Sequence, residues 1–359
     1  MAKFYIIMFW NTSPAVEVWD CVLCTVMMIY YCVSSTCFLS KLKKHVLVCN
    51  AREQDKAAYY QHNINVLPGE NPMRIPLSEV PQGAVDAVID KINTLFLKLL
   101  SSAITVCSDP DIHPSVVPEF SVKGRSETSL RHLRQASSLL WRLRDQELLG
   151  KDFCYVELGA GKGTFLLFLL VIIKNGGQVV AIERGARRYK REGPGADRLR
   201  ADLAHVALEH TPVGGSRAVG LAKHLCGDAT GTLLYLTLDH HSAGLLIATC
   251  CHHRCLPANY VGASYLKEAG DKTNGESEKI VSTEITEQKI VTSKKTMDRK
   301  EEIERREEVG RRAKALLDYG RVLYLRDRGF QAQLTHFVDK SVTLENVLIS
   351  GRSCCIALT

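Results

Sequence analysis

With 359 residues, 46% hydrophobic and 24% charged, the chain has the composition of a globular protein with room for one large domain and a smaller one, which excludes wholesale disorder. Its net charge of +7 is a modest excess that suits an anionic partner. The 13 cysteines are odd in number and scattered, many of them within apolar strands, which argues against a secreted disulfide framework and for buried thiols in a reducing, intracellular compartment.

In chain order, the first feature is Cys21–Ser40, a run of 20 residues without charge. That length can span a bilayer. Cys, Thr and Ser dilute it, however, and Glu17 and Asp20 precede it where a secretory signal wants basic residues. The expectation is a buried or poorly ordered arm in a protein without stable membrane association. Residues 39–50 then turn basic and amphipathic, with Leu42, His45, Val46 and Cys49 on one helical face. His45 and Cys49 stand at i and i+4, which suits half of a zinc site. No Cys and His precede them at finger-like spacing, and the Cys21 and Cys24 pair lies in the apolar run. A helix with a buried His, a buried Cys and no tightly bound zinc is the reading.

Pro68, Pro72, Pro76 and Pro81 mark a linker. Val85–Leu100 reads as an amphipathic helix, and Ser126–Leu149 as another that Gly150 stops. The second carries Leu130, Leu133, Ser137, Leu140 and Trp141 inside, with Arg131, Arg134, Arg142 and Arg144 outside.

The centre of the chain is Phe153–Thr164, where an apolar strand ending in Glu157-Leu158 breaks into Gly159-Ala160-Gly161-Lys162-Gly163 and a helical pattern follows over Phe165–Ile173. Strand, tight turn and helix make the opening unit of a nucleotide-binding α/β domain. A dinucleotide turn wants glycines at positions one, three and six, and here they fall at one, three and five. A phosphate loop wants Ser or Thr directly after Gly-Lys, and Gly163 stands there. The spacing instead resembles the first motif of S-adenosylmethionine-dependent methyltransferases. Gln178–Ile182 is the next strand, and Glu183 at its end suits ribose hydroxyls or, more plainly, a helix cap. Seven Arg or Lys follow within 184–200, a solvated face or a phosphate-binding one. Arg198–Leu203 is a short strand candidate, with Asp202 placed to reach an adenine amino group.

Ala218–Ala222 leads as a strand into Lys223-His224-Leu225-Cys226-Gly227-Asp228, and Asp228 opens a helix through Leu238. Gly244–Thr249 runs into Cys250-Cys251-His252-His253-Arg254-Cys255. Adjacent side chains on a strand alternate faces, so that block cannot close a zinc tetrahedron alone. Residues 270–300 read as a flexible polar insertion, Glu301–Gly320 as a charged helix with Arg311, Arg312, Lys314 and Arg321 as a basic flank. Gln331–Val338 and Thr343–Gly351 read as two closing strands at a hairpin-like sheet edge. The expected fold is a Rossmann-like α/β domain, a mostly parallel sheet with helices on both faces, and ligands gather outside the carboxyl ends of such strands. Residues 159–163, 183, 202, 223–228 and 250–255 would then share one crevice.

The glycine turn, Lys223–Thr230, Cys250–Cys255, Tyr260-Val261-Gly262 and Ser341–Ile349, in that order, resemble the tRNA 2′-O-methyltransferases that modify the fourth nucleotide of the acceptor stem. The likeness covers roughly 120–359 and, more weakly, 39–66. It implies an S-adenosylmethionine cofactor held by Glu157, Gly159, Gly161, Gly163, Glu183 and Asp202, and tRNA as partner. It also implies two small zinc modules at the start, of which only His45 and Cys49 match here as a degenerate remnant. The organisation expected is an atypical arm, zinc-module remnant and linker over 1–82, a helical lead-in over 83–150 and a methyltransferase domain over 151–359. For the ribose proton, His252, His253, Lys223 and Asp228 are the catalytic candidates, and the sequence does not choose among them. A cofactor- or tRNA-binding variant without turnover, or a methyltransferase for another substrate, are the alternatives.

Overall fold

The computed structural model describes residues 57–66, 75–106, 111–161, 163–173, 177–185, 196–214, 216–225, 242–280 and 299–354. The apolar arm, the His45 and Cys49 helix, Lys162, most of the basic run after Glu183, and Asp228 with its helix lie outside the described residues.

Eight strands form one sheet: β1 (Ile104–Val106), β2 (Cys154–Leu158), β3 (Gln178–Ile182), β4 (Ala196–Leu199), β5 (Ala218–Leu225), β6 (Gly244–Thr249), β7 (Phe330–His336) and β8 (Val347–Ser353). Their order is β1-β7-β8-β6-β5-β2-β3-β4. All neighbouring pairs are parallel except those of β8, which runs antiparallel between β6 and β7. This is the Rossmann-like, mostly parallel sheet the residue pattern implies. From β2 the chain steps outward to β3 and β4, then returns to β5 on the other side of β2. The order reverses there, so the topological switch point lies between β2 and β5.

Helices cover both faces, as a buried parallel sheet requires. Apolar side chains of α2 (Glu127–Asp145) and α3 (Thr164–Ile173), among them Leu133, Leu140, Phe165 and Leu169, pack with Tyr155, Val219 and Leu246 on one face. On the other, Leu100 at the end of α1 (Gln82–Leu100) and Leu316, Val322 and Leu325 of α5 (Arg299–Asp327) pack with Val156, Leu245 and Ile349. Each such side chain contributes roughly 1.5–3 kcal/mol on burial, so the two layers carry the fold. No described helix is long and apolar enough to cross a membrane.

Several boundaries differ from the expectation, each for a local reason. Ser126 does cap α2, accepting from Ser129 N–H, but the helix ends at Asp145 because Glu147 turns left-handed at φ 55°. Gly150 is therefore not its stop. β4 ends at Leu199, and Asp202 instead caps the one-turn helix Leu203–His205. β5 continues to Leu225, so Lys223 stands on a strand. The closing strands pair with each other as expected, but β8 is interior, and the outer strand is β1, three residues too short to show alternation. The first part of the supposed insertion is helical: α4 (Ala263–Ile280) extends through it, fastened where Tyr265 meets the ring of Tyr324 edge-on and donates to Asp327. Within the expected linker, Tyr60 bridges to Val206, and Asn65 donates to the carbonyls of Leu203 and Val206.

Candidate active site

The glycine turn closes β2 at the switch point. Gly159, Gly161 and Gly163 have φ of 69°, 53° and 67°, a region that side chains with a Cβ rarely adopt. At Gly161 an added Cβ would meet nothing within 4 Å, whereas at Gly159 it would stand 3.1 Å from Leu225 Cδ1. The turn is thus packed against the end of β5 at its first glycine and open at its second. Gly161 N–H donates to Glu183 Oε2 at 2.9 Å, and Gly185 N–H donates to Oε1 at 2.8 Å. Glu183 therefore ties the ends of β2 and β3 together, and its remaining lone pairs are those a ligand hydroxyl would use.

Beneath the turn, strand alternation aims Glu157 and Lys223 at the same face as Tyr155 and Leu221, toward α2 and α3. Leu139, Phe165, Leu221, Ala222 and Leu246 line a narrow apolar crevice with them. Glu157 is 5% exposed, and its Oε2 has no hydrogen-bond partner among the described residues. Burial pushes its carboxyl up to about 8, against the pull of Lys223 and Arg198 and with a push from Glu183. Burial likewise draws the Lys223 ammonium down to about 8, and Glu157 opposes that. Burial thus moves the pKa values of the two groups toward each other, the carboxyl up and the ammonium down, as desolvation of a shared crevice does. Lys223 Nζ lies 3.1 Å from His132 Nδ1 on α2. The tip of Arg198 comes to the glycine turn, its Nη2 2.8 Å from where a Cβ on Gly163 would stand.

The Cys-Cys-His-His-Arg-Cys block is placed differently. Thr249 continues the alternation of Leu245 and Ile247, which face α5 rather than α2. There Asp318 of α5, fully buried, accepts from Thr249 Oγ1 at 2.7 Å and Arg321 Nη1 at 2.6 Å and lies 2.9 Å from His252 Nε2. These partners hold the Asp318 carboxyl below its ordinary value although burial pushes the other way. His252 Nδ1 sits 2.5 Å from the Cys250 carbonyl oxygen. A carbonyl and a carboxylate can only accept, so these two contacts occupy both ring nitrogens of His252 with protein groups. The geometry fits a loop anchor. His253 and Arg254 next to it are exposed.

Arg321 is 2% exposed and stacks 5.5 Å from the ring centre of Tyr260. It is thus part of the buried network and not of a basic flank. Arg311, Arg312 and Lys314 on the same helix pair with Glu307, Glu308 and Glu345. The Tyr260-Val261-Gly262 motif has a packing role, since a Cβ at Gly262 would stand 2.6 Å from the Gly320 carbonyl carbon. Asp202 uses one oxygen to cap Ala204 N–H at 3.1 Å, and the other lies 3.3 Å from Arg184. Among the described residues no group of His, Cys, Asp and Glu could hold a metal.

Of the residues singled out in the sequence, Glu157, Gly159, Gly161, Gly163, Glu183 and Lys223 thus surround the switch point, and His252 faces α5. The sequence reading missed His132 and Asp318, and it set Arg198 in a basic run and Arg321 in a basic flank. The first had a weak signal, a polar residue one helical turn before the apolar Ala136 on the inward side of α2. The acidic and basic pair in α5 had none, lying among many surface charges.

Comparison with known proteins closes the description. The family described as methyltransferase TRM13 matches residues 134–352. The tRNA:m(4)X modification enzyme TRM13 homolog of Mus musculus is 25% identical over 408 residues, spanning 88% of this chain and 84% of that one. The Homo sapiens homolog is 25% identical over 411 residues, with the same coverage of 88% and 84%. The TRM13 enzyme of Scheffersomyces stipitis is 29% identical over 268 residues, 61% of this chain and 64% of its own. Among solved structures, the mitomycin 7-O-methyltransferase MmcR aligns with a TM-score of 0.21 and 18% identity over 37% of this chain and 46% of that one, a likeness too slight to carry weight.

Proposed function

The chain belongs to the TRM13 methyltransferase family, and from that premise we propose that it methylates the 2′-hydroxyl of the fourth nucleotide in tRNA acceptor stems, with S-adenosylmethionine as donor, inside the cell. The observation that supports this best is the open glycine turn at the switch point, set over a buried carboxyl whose Oε2 lacks a hydrogen-bond partner among the described residues. A cationic ligand with donor groups fits both features. When bound, S-adenosylmethionine supplies a methyl group on a sulfonium centre. Gly159–Gly163 give it backbone to lie against, Glu183 takes its ribose hydroxyls, and Glu157 meets positive charge. To Asp202, one oxygen of which lies 3.3 Å from Arg184, we assign the adenine amino group.

On the acceptor side, Lys223 is the group we assign to the hydroxyl proton. It projects into the crevice, and burial brings its ammonium down to about 8, so a usable share is neutral near physiological pH. His252 holds the 250–255 loop, which leaves His253 and Arg254 at the surface to meet the RNA. Asp228, outside the described residues, stays the alternative acceptor of that proton. Proximity supplies much of the rate, since two bound reactants held in line react as one molecule. The test is titration calorimetry with S-adenosylmethionine, followed by transfer of labelled methyl groups to bulk tRNA. Binding and incorporation are expected. Binding without incorporation would mark a chain that holds the cofactor but does not turn over.

A further inference from the structure

The crevice poses a problem of proton disposal. Leu139, Phe165, Leu221, Ala222 and Leu246 make its walls apolar, and burial pushes the Glu157 carboxyl inside it up to about 8. A proton taken by Lys223 has to leave again before the next transfer, and the apolar walls offer it no path. On the other side stands His132, an exposed residue of α2 whose Nδ1 is 3.1 Å from Lys223 Nζ and whose ring also meets the Gln135 side chain.

Resting on the proposed methyl transfer, we propose that His132 is a proton-relay partner of Lys223, carrying the substrate proton from the crevice to solvent. Lys223 Nζ takes the proton of the acceptor hydroxyl while the hydroxyl oxygen forms its bond to the methyl carbon. The carbon–sulfur bond breaks, and its electron pair stays on sulfur as the neutral thioether. Lys223 then passes one proton to His132 Nδ1, and His132 sheds the proton on Nε2 to water, which returns both groups to their starting charge.

The surroundings suit this. Burial, then the charges of Lys223 and Arg131, lower the His132 pKa, while Gln135 raises it. The imidazole is thus neutral at pH 7, with a lone pair aimed at the ammonium. Among the described residues, the other charged groups facing Lys223 and Glu157 are Arg198 from β4 and Glu183 from the end of β3. A lysine that is half-buried and a histidine that is exposed form two stations on one path.

The test is single-turnover methyl transfer to tRNA between pH 6 and 9 by the full chain, comparing wild type with His132→Asn and His132→Ala. Asn keeps an acceptor near the Nδ1 position but cannot carry a proton. The relay predicts a rate lower by about 10-fold or more in both variants, at unchanged S-adenosylmethionine affinity. Added imidazole should restore the Ala variant in proportion to its free-base form. An Asn variant at the wild-type rate throughout, or an Ala variant deaf to imidazole, would overturn the relay. A second arm needs no turnover: competitive acetylation of the Lys223 amine against pH, read by mass spectrometry. Coupled groups titrate in two steps, so the wild-type curve should show a lower inflection that His132→Asn removes. Identical curves also overturn the relay. Should wild type transfer no methyl group while the coupling is seen, the reaction assignment fails and the pair shares a proton for other chemistry.

Discussion

Replacing Asp318 by Asn should be among the most damaging isosteric changes in this domain. Three donors converge on its carboxylate, from Thr249 at 2.7 Å, His252 at 2.9 Å and Arg321 at 2.6 Å. An Asn amide offers one accepting oxygen and one donating NH2, so with the oxygen kept toward His252 and Arg321 the Thr249 hydroxyl must turn from donor to acceptor. Arg321, 2% exposed, would also lose its counter-charge in a place water does not reach. Breaking a buried pair in this way costs about 3–5 kcal/mol. For a domain of this size that is a fall in melting temperature on the order of 10 °C. The Asp318 carboxyl is held below its unfolded value, so its contribution is present above the ordinary Asp pKa and lost as pH falls through the folded one. The Asn variant should therefore lie furthest below wild type at neutral pH, the two curves converging in acid. Thermal melts of wild type and Asp318→Asn from pH 3 to 8 test this. A difference under 2 °C at pH 7, or one that grows in acid, would refute the network as the fastening of the 250–255 loop.

Other outcomes follow from the same geometry. Gly161→Trp should abolish S-adenosylmethionine binding by filling the open side of the turn, where calorimetry would otherwise show unchanged affinity, or tighter binding of NAD. Because a bound cation favours the ionised Glu157, cofactor affinity should rise as pH climbs through about 8, and Glu157→Gln should flatten that dependence. The same substitution removes a charge that raises the Lys223 pKa, so the labelling midpoint of Lys223 should move lower; a midpoint that rises would contradict the pairing. Gly320→Ala would drive a methyl group into the Tyr260 hydroxyl and should cost about 1–3 kcal/mol, less when combined with Tyr260→Phe; additive melting-temperature losses would count against that contact.

Much of the fold was legible because the parallel strands are buried on both faces and read as apolar runs: Gln178–Ile182 and Gly244–Thr249 have the expected bounds. What escaped was local or tertiary. β1 is three residues long, and whether β8 lies inside the sheet depends on strand order, which no periodicity records. The glycine turn, Glu157 and Lys223 stood out because sequence places them at strand ends. His132, Asp318 and Arg321 come near the site only through packing of α2 and α5 on the sheet, so their roles were hidden among ordinary helix charges. Strand alternation also divides what looked like one constellation. Lys223 faces α2 whereas Thr249 faces α5, and chain order alone does not say which side a strand presents.

The central claim is methylation of a ribose at one place in tRNA, and alkaline cleavage reads both facts at once. Hydrolysis of RNA needs a free 2′-hydroxyl, so a methylated ribose leaves a missing rung in the ladder. End-labelled tRNA incubated with the protein and S-adenosylmethionine should show a gap after the fourth nucleotide, absent without the donor and absent with Lys223→Met. A complete ladder from tRNA that has taken up methyl label would place the methyl group on a base and contradict the account, as would a gap at another position.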